Sequence, residues 1–166
     1  FGANWYAGFA EDNDSNLWCA TWEAFGLNLF DRQKGIFLPK HYMPGNRPAN
    51  KSICLAFDPV RKHMIIGGVY YYGYYDFTSG SYIRYASALP SDYINRDIFA
   101  GYYSYCPARI VNMPLNPVFY DCLLQDAVVW IGQSHSLLKH TLADDTVETL
   151  FTNDVPRTMR LAKGRD

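Results

Sequence analysis

Apolar positions in this chain come in short runs of four to seven residues, closed by Gly, Pro, Asp or Asn. Residues 17–22, 27–30, 53–57, 64–69, 119–125 and 128–131 are such runs, rich in aromatic and branched side chains. No window repeats its apolar residues with a helical period, so the pattern predicts an all-β chain with no helix beyond about two turns. Between the runs, Asp31 to Gly35 reads as a tight turn. Asp bonds the backbone ahead of it, and Gly takes a positive φ without steric cost.

The pattern recurs. Asp31, Gly35 and Phe37 have the spacing of Asp76, Gly80 and Tyr82, 45 positions later. Asp12 precedes Leu17, Trp18 and Cys19, as Asp58 precedes Met64, Ile65 and Ile66, and as Asp126 precedes Val129, Trp130 and Ile131. A weaker copy follows Asp97. Strand modules recurring every 40–50 residues are propeller blades, four-stranded sheets that cannot bury their faces alone. The expectation is about four four-stranded antiparallel β-propeller blades, near 4–38, 53–86, 94–120 and 121–152, forming one domain that belongs to a larger ring. Trp18 and Trp130 are expected at equivalent buried places in second strands, and residues 38–52 as a long inter-blade loop.

The segment Glu11, Asp12, Asn16, Leu17, Trp18 and Thr21, followed by Gly26, Leu27, Phe30 and Asp31, resembles the two-component regulator propeller repeat. In that repeat E-D-x-x-G-N-L-W-I-G-T leads to G-L-x-x-F/Y-D. Here Ser15 stands at the usual Gly, and Cys19 and Ala20 replace Ile-Gly. Trp130, Ile131 and Gly132 match the core of the motif, the copy after Asp58 lacks its Trp, and the copy after Asp97 is degenerate. The resemblance implies the periplasmic sensor part of a bacterial hybrid two-component protein, in a family that often regulates glycan use.

Composition narrows the field. The 166 residues can build a real core, and 17% are aromatic, mostly Tyr and Phe, which favours sheets. A formal net charge of −1 gives no electrostatic footprint for nucleic acid. No apolar run is long enough for a membrane span. The first residue is Phe1, as expected of a processed chain or an excised fragment. Cys19, Cys54, Cys106 and Cys122 contain no C-x-x-C pair. Cys54 and Cys122 each precede an Asp by four, which predicts the same strand position in two blades and small buried hydrophobes. An export compartment would permit a disulfide.

No catalytic set stands out. Asp12, Asp14, Asn16 and Glu23 have EF-hand spacing, but Leu17 occupies the position that needs Gly, so a polar hairpin tip is expected. His135 and His140 lie an odd distance apart and would point to opposite sheet faces. Neither a metal nor a cofactor is expected. The candidate ligand-binding residues are the aromatic loops between second and third strands: Trp22 and Phe25, then Tyr70, Tyr71 and Tyr72, then Tyr102, Tyr103 and Tyr105, with His135 in the last module. Flat rings with a polar handle suit a sugar or another protein. The competing expectation is that these tyrosines pack between blades.

The chain is thus expected to be a non-enzymatic sensory module that binds a small glycan or a partner outside the cytoplasm. Its protein partners would be further propeller blades or a second copy of the chain. The alternatives are a free-standing lectin-like propeller and a propeller lyase or glycosidase.

Overall fold

The computed structural model describes residues 6–21, 27–41, 52–68, 72–87, 108–111, 119–133, 135–152 and 161–162. These residues hold thirteen strands and no helix. Three meandering antiparallel sheets follow one another, as propeller blades do. Blade 1 is β1 (Tyr6–Glu11), β2 (Leu17–Thr21), β3 (Leu27–Asp31) and β4 (Ile36–His41). Blade 2 is β5 (Ser52–Asp58), β6 (His63–Gly68), β7 (Tyr72–Asp76) and β8 (Ser81–Ser87). Blade 3 is β10 (Phe119–Gln125), β11 (Val128–Gln133), β12 (Ser136–Thr141) and β13 (Thr146–Thr152). The first strands lie side by side, with β5 between β1 and β10.

The module expected over residues 94–120 shows one whole strand among the described residues. This is β9 (Ala108–Val111), which pairs parallel to β8 as a fifth strand of blade 2. The described residues therefore form three blades rather than four. Part of the expected loop over 38–52 is strand as well. β4 runs on to His41 through Pro39, which an outermost strand tolerates because its missing N–H faces no neighbour.

Turn chemistry sets the hairpins. Asp12 Oδ1 accepts the amides of Asp14 and Asn16, both at 2.9 Å, and Oδ2 accepts Asn16 Nδ2 at 3.0 Å and Trp18 Nε1 at 2.7 Å. Ser15, at the usual glycine of the motif, has φ +58°. Gly35 and Gly80 close their turns at φ +66° and +68° and donate to the carbonyls of Asp31 and Asp76. The equivalent place in blade 3 is held by Asp145, at φ +57°. A left-handed non-glycine residue carries a cost of about 1–2 kcal/mol, so a carboxylate stands where the other two blades carry no side chain.

Each first strand is irregular near its start, between Tyr6 and Gly8, Ser52 and Cys54, and Phe119 and Asp121. Counted from there, Trp18, Ile65 and Trp130 are equivalent, opposite Ala10, Ala56 and Leu123. Strand alternation gives each blade a forward face, towards the next blade, and a rear face. Trp18, Ala20 and Leu27 on the forward face of blade 1 pack on Leu55, Met64, Ile66 and Tyr75 on the rear face of blade 2. Cys54, Ile65, Tyr72 and Tyr85 on the forward face of blade 2 pack on Cys122, Val129, Ile131 and Leu138 of blade 3. Full burial of each Ile or Leu contributes about 1.5–3 kcal/mol, so these two seams hold the arc together.

Two expectations change with this register. Trp18 is buried, but Trp130 is only half-buried, because the forward face of blade 3 has no blade against it among the described residues. Cys54 and Cys122 are not equivalent either. Two residues turn at Asp126 where four follow Asp58, so Cys54 aligns with Asp121 and Cys122 with Leu55. The two cysteines therefore lie on opposite faces of their own sheets, and those are the faces that meet.

Candidate functional site

Most of the aromatic candidates, Trp22, Phe25, Tyr70, Tyr71, Tyr102, Tyr103 and Tyr105, lie outside the described residues. Two are placed. His135 is half-buried at the entry to β12, one residue before Ser136, whose Oγ donates to Gln133 Oε1 at 2.8 Å. Gln133 is fully buried, and its Nε2 has no hydrogen-bond partner. Tyr72 is the first residue of β7 and is 2% exposed between blades 2 and 3, so it packs a seam rather than lining a loop surface.

Tyr72 opens onto a polar cluster that the sequence pattern did not single out. Its hydroxyl is 2.7 Å from Nδ1 of His140, a fully buried imidazole on β12. On the far side, His140 Nε2 is 3.5 Å from Asp145 Oδ1, and Asp145 Oδ2 is 3.0 Å from Arg109 Nη2 of β9. Tyr74 and Tyr85 also interact electrostatically with Arg109. The ring of Tyr85 stands edge-on to His140 at 4.6 Å, and Tyr72 stacks on Tyr85 at 5.0 Å. β9 thus has a structural use, because it brings a cation to the rim of the second seam.

The electrostatics favour a neutral histidine. Burial lowers the His140 pKa, the Asp145 carboxylate beside it pulls the other way, and Arg109 adds to the lowering; burial wins. With Tyr72 donating to Nδ1, the imidazole proton sits on Nε2, which lies 3.5 Å from Asp145 Oδ1 without a hydrogen bond between them. Tyr72 is held well above its ordinary pKa, first by burial and then by the neighbouring Tyr85. His140 is closed to solvent, and the only hydrogen bond of its ring among the described residues is the one to Tyr72. One signal for it lay in the sequence: the third module has Asp145 at the turn glycine.

The first seam is built on a related pair. His41, half-buried at the end of β4, stacks on Tyr75 at 4.2 Å and on Trp18 at 5.4 Å. Its Nδ1 is 2.8 Å from the Tyr75 hydroxyl. Tyr82 donates to the His41 carbonyl at 2.5 Å and accepts the Leu27 amide at 3.2 Å.

No family model matches the chain, and no curated protein is similar to it in sequence. Solved structures are similar in fold. The extracellular domain of a hybrid two-component system from B. thetaiotaomicron superposes with a TM-score of 0.62 at 13% identity, covering 90% of this chain and 17% of that one. A streptogramin B lyase does so with a TM-score of 0.60 at 16% identity, covering 93% and 43%. Virginiamycin B lyase from Staphylococcus aureus gives 0.57 at 12% identity, covering 90% and 42%. The chain spans less than half the length of each of these relatives. The likeness shows a propeller fold, the fold expected of two-component regulator propeller repeats.

Proposed function

We propose that the chain is an arc of a sensory propeller: a non-enzymatic module that binds a ligand or partner outside the cytoplasm for a bacterial two-component protein. The carrying observation is the pair of end faces. The rear face of blade 1 presents Phe9, 53% exposed, with Phe30 and Phe37, and the forward face of blade 3 presents half-buried Trp130 with Phe151, 51% exposed. In register, Phe9 matches buried Leu55, and Phe151 matches His41 of the first seam. Both faces are therefore made in the pattern that packs on blades, and Cys19 and Asn28 on the rear face of blade 1 are buried. Further blades or a second copy cover them in this reading. The repeat motif around Asp12 and the fold of the two-component extracellular domain support the signalling context.

A small glycan is the ligand class assigned to the aromatic loops. Binding of oligosaccharides to the chain, measured by calorimetry, tests it. Tyr70→Ala with Tyr102→Ala should leave the unfolding midpoint in place and weaken binding at least tenfold; an unchanged affinity overturns the assignment. The likeness in fold to a streptogramin B lyase and to virginiamycin B lyase favours a second reading, an enzyme. Turnover of a streptogramin B antibiotic by the purified chain would replace the sensor reading with that one.

A further inference from the structure

The innermost strands of blades 2 and 3 each place one sulfur in the seam between them. Cys54 on β5 is 4% exposed and Cys122 on β10 is 7% exposed. Both belong to one apolar cluster, on neighbouring innermost strands, and both thiols are free in this structure. The register explains the meeting, since Cys54 sits on the forward face of its sheet and Cys122 on the rear face of the next. Cys19 is buried on the rear face of blade 1, away from that seam. Cys106 lies outside the described residues.

We propose that Cys54 and Cys122 form a disulfide that ties blade 2 to blade 3 when the chain folds in an oxidising compartment. The oxidant is a small or protein disulfide, RSSR. One cysteine thiolate attacks it, forming a protein–S–S–R mixed disulfide and releasing RS⁻. The second thiolate attacks the protein sulfur of that bond, closes the Cys54–Cys122 bridge and releases the second RS⁻. The two protein thiols lose two electrons and two protons, and RSSR becomes two RSH. Bonding needs the sulfurs about 2.0 Å apart, which asks the two side chains to turn towards each other across the seam. Interaction with the neighbouring Cys54 and then burial hold the Cys122 thiol well above its ordinary pKa, so its thiolate is scarce in the closed seam. The exchange therefore runs before the blades dock, and the same burial afterwards keeps reductants out. The source of oxidant in the cell rests on the extracytoplasmic reading above; the pairing does not.

The test is to refold the purified chain in a glutathione redox buffer, quench with iodoacetamide and map its peptides without reduction. The expected result is one linked pair of peptides carrying Cys54 and Cys122, lighter by two hydrogens, with Cys19 alkylated. Adding excess reductant should lower the unfolding midpoint by several degrees, and a Cys54→Ala variant should lose that dependence. If that variant fails to fold, the wild-type map still decides. Alkylation of both Cys54 and Cys122 after oxidative refolding, or a link from either to Cys19 or Cys106, overturns the proposal. A bridge that forms in glutathione while the protein from its own host carries free thiols would count against the extracytoplasmic location and not against the pair.

Discussion

Blades 1 and 2 meet through a tyrosine and a histidine, and so do blades 2 and 3, with the partners exchanged. In the first seam the forward blade supplies His41 and the rear face of the next supplies Tyr75, 2.8 Å apart. In the second the forward blade supplies Tyr72 and the rear face supplies His140, 2.7 Å apart. Tyr75 and His140 occupy equivalent third-strand positions, so the register fixes where the bond forms and leaves open which blade donates it. The seams differ in burial. His41 is half-buried, whereas His140 is fully enclosed and has a carboxylate and a guanidinium behind it. An equivalent bond should therefore matter more in the second seam, because a group left unpaired there has no water to turn to.

The largest break of this comparison is Tyr72→Ala. It removes a buried ring from between two blades and strips His140 of its partner, and should destabilise the chain by about 3–5 kcal/mol in urea unfolding. A loss under about 1 kcal/mol with a clear binding defect would return Tyr72 to the ligand surface. The paired hydroxyl deletions come next. Tyr72→Phe leaves buried His140 Nδ1 unpaired and should cost about 1–3 kcal/mol. Tyr75→Phe removes the same bond at the half-buried His41 and should cost about 0.5–1 kcal/mol. Equal losses in both variants would show that the enclosure of His140 has no energetic weight.

These features differ in how far the sequence revealed them. The propeller class was legible because its signals are local: Asp31 with Gly35 and Asp76 with Gly80 each fix a hairpin through one carboxylate and one positive φ. The seams were not, because they depend on register between blades. Counting back from Asp58 and Asp126 put Cys54 and Cys122 in the same position, and a two-residue difference in turn length undid it. The odd spacing of His135 and His140 could not show that Tyr72 waits across the seam from His140. The half-exposure of Trp130 was hidden for the same reason, since identical strand patterns are buried or bare according to what stands against them.

Acid should separate the seams further. His41, His63 and His140 all have folded pKa values below the ordinary 6.5, burial being the first cause for each. Above about pH 6.5 they are neutral in both states and their contribution is complete. Below it the unfolded chain takes up protons first, so stability falls as pH drops from there towards the folded values. Each such proton is worth about 1.4 kcal/mol per pH unit. Unfolding midpoints from pH 8 to pH 5 should show this slope, and His140→Gln should remove part of it. A flat profile in the wild type would mean that the histidines are already solvated in the native state.

The smallest effect expected comes from Arg109→Ala, and it bears on why β9 joins blade 2. The ion pair with Asp145 is close, at 3.0 Å, but the arginine side chain is 50% exposed, so at pH 8 its loss should cost under about 1 kcal/mol. Its influence on His140 has the opposite sign in acid. The guanidinium is one of the charges that disfavour the imidazolium, and it also occupies the carboxylate that would stabilise that imidazolium. Without Arg109, Asp145 turns its full charge on His140 and the folded pKa moves up towards 6.5. The folded and unfolded values then lie closer together, and the acid loss assigned to His140 shrinks. Arg109→Ala should thus be slightly less stable than the wild type at pH 8 and lose less on going to pH 5. Parallel profiles for the two proteins would leave Arg109 a surface contact of β9 with no hold on the second seam.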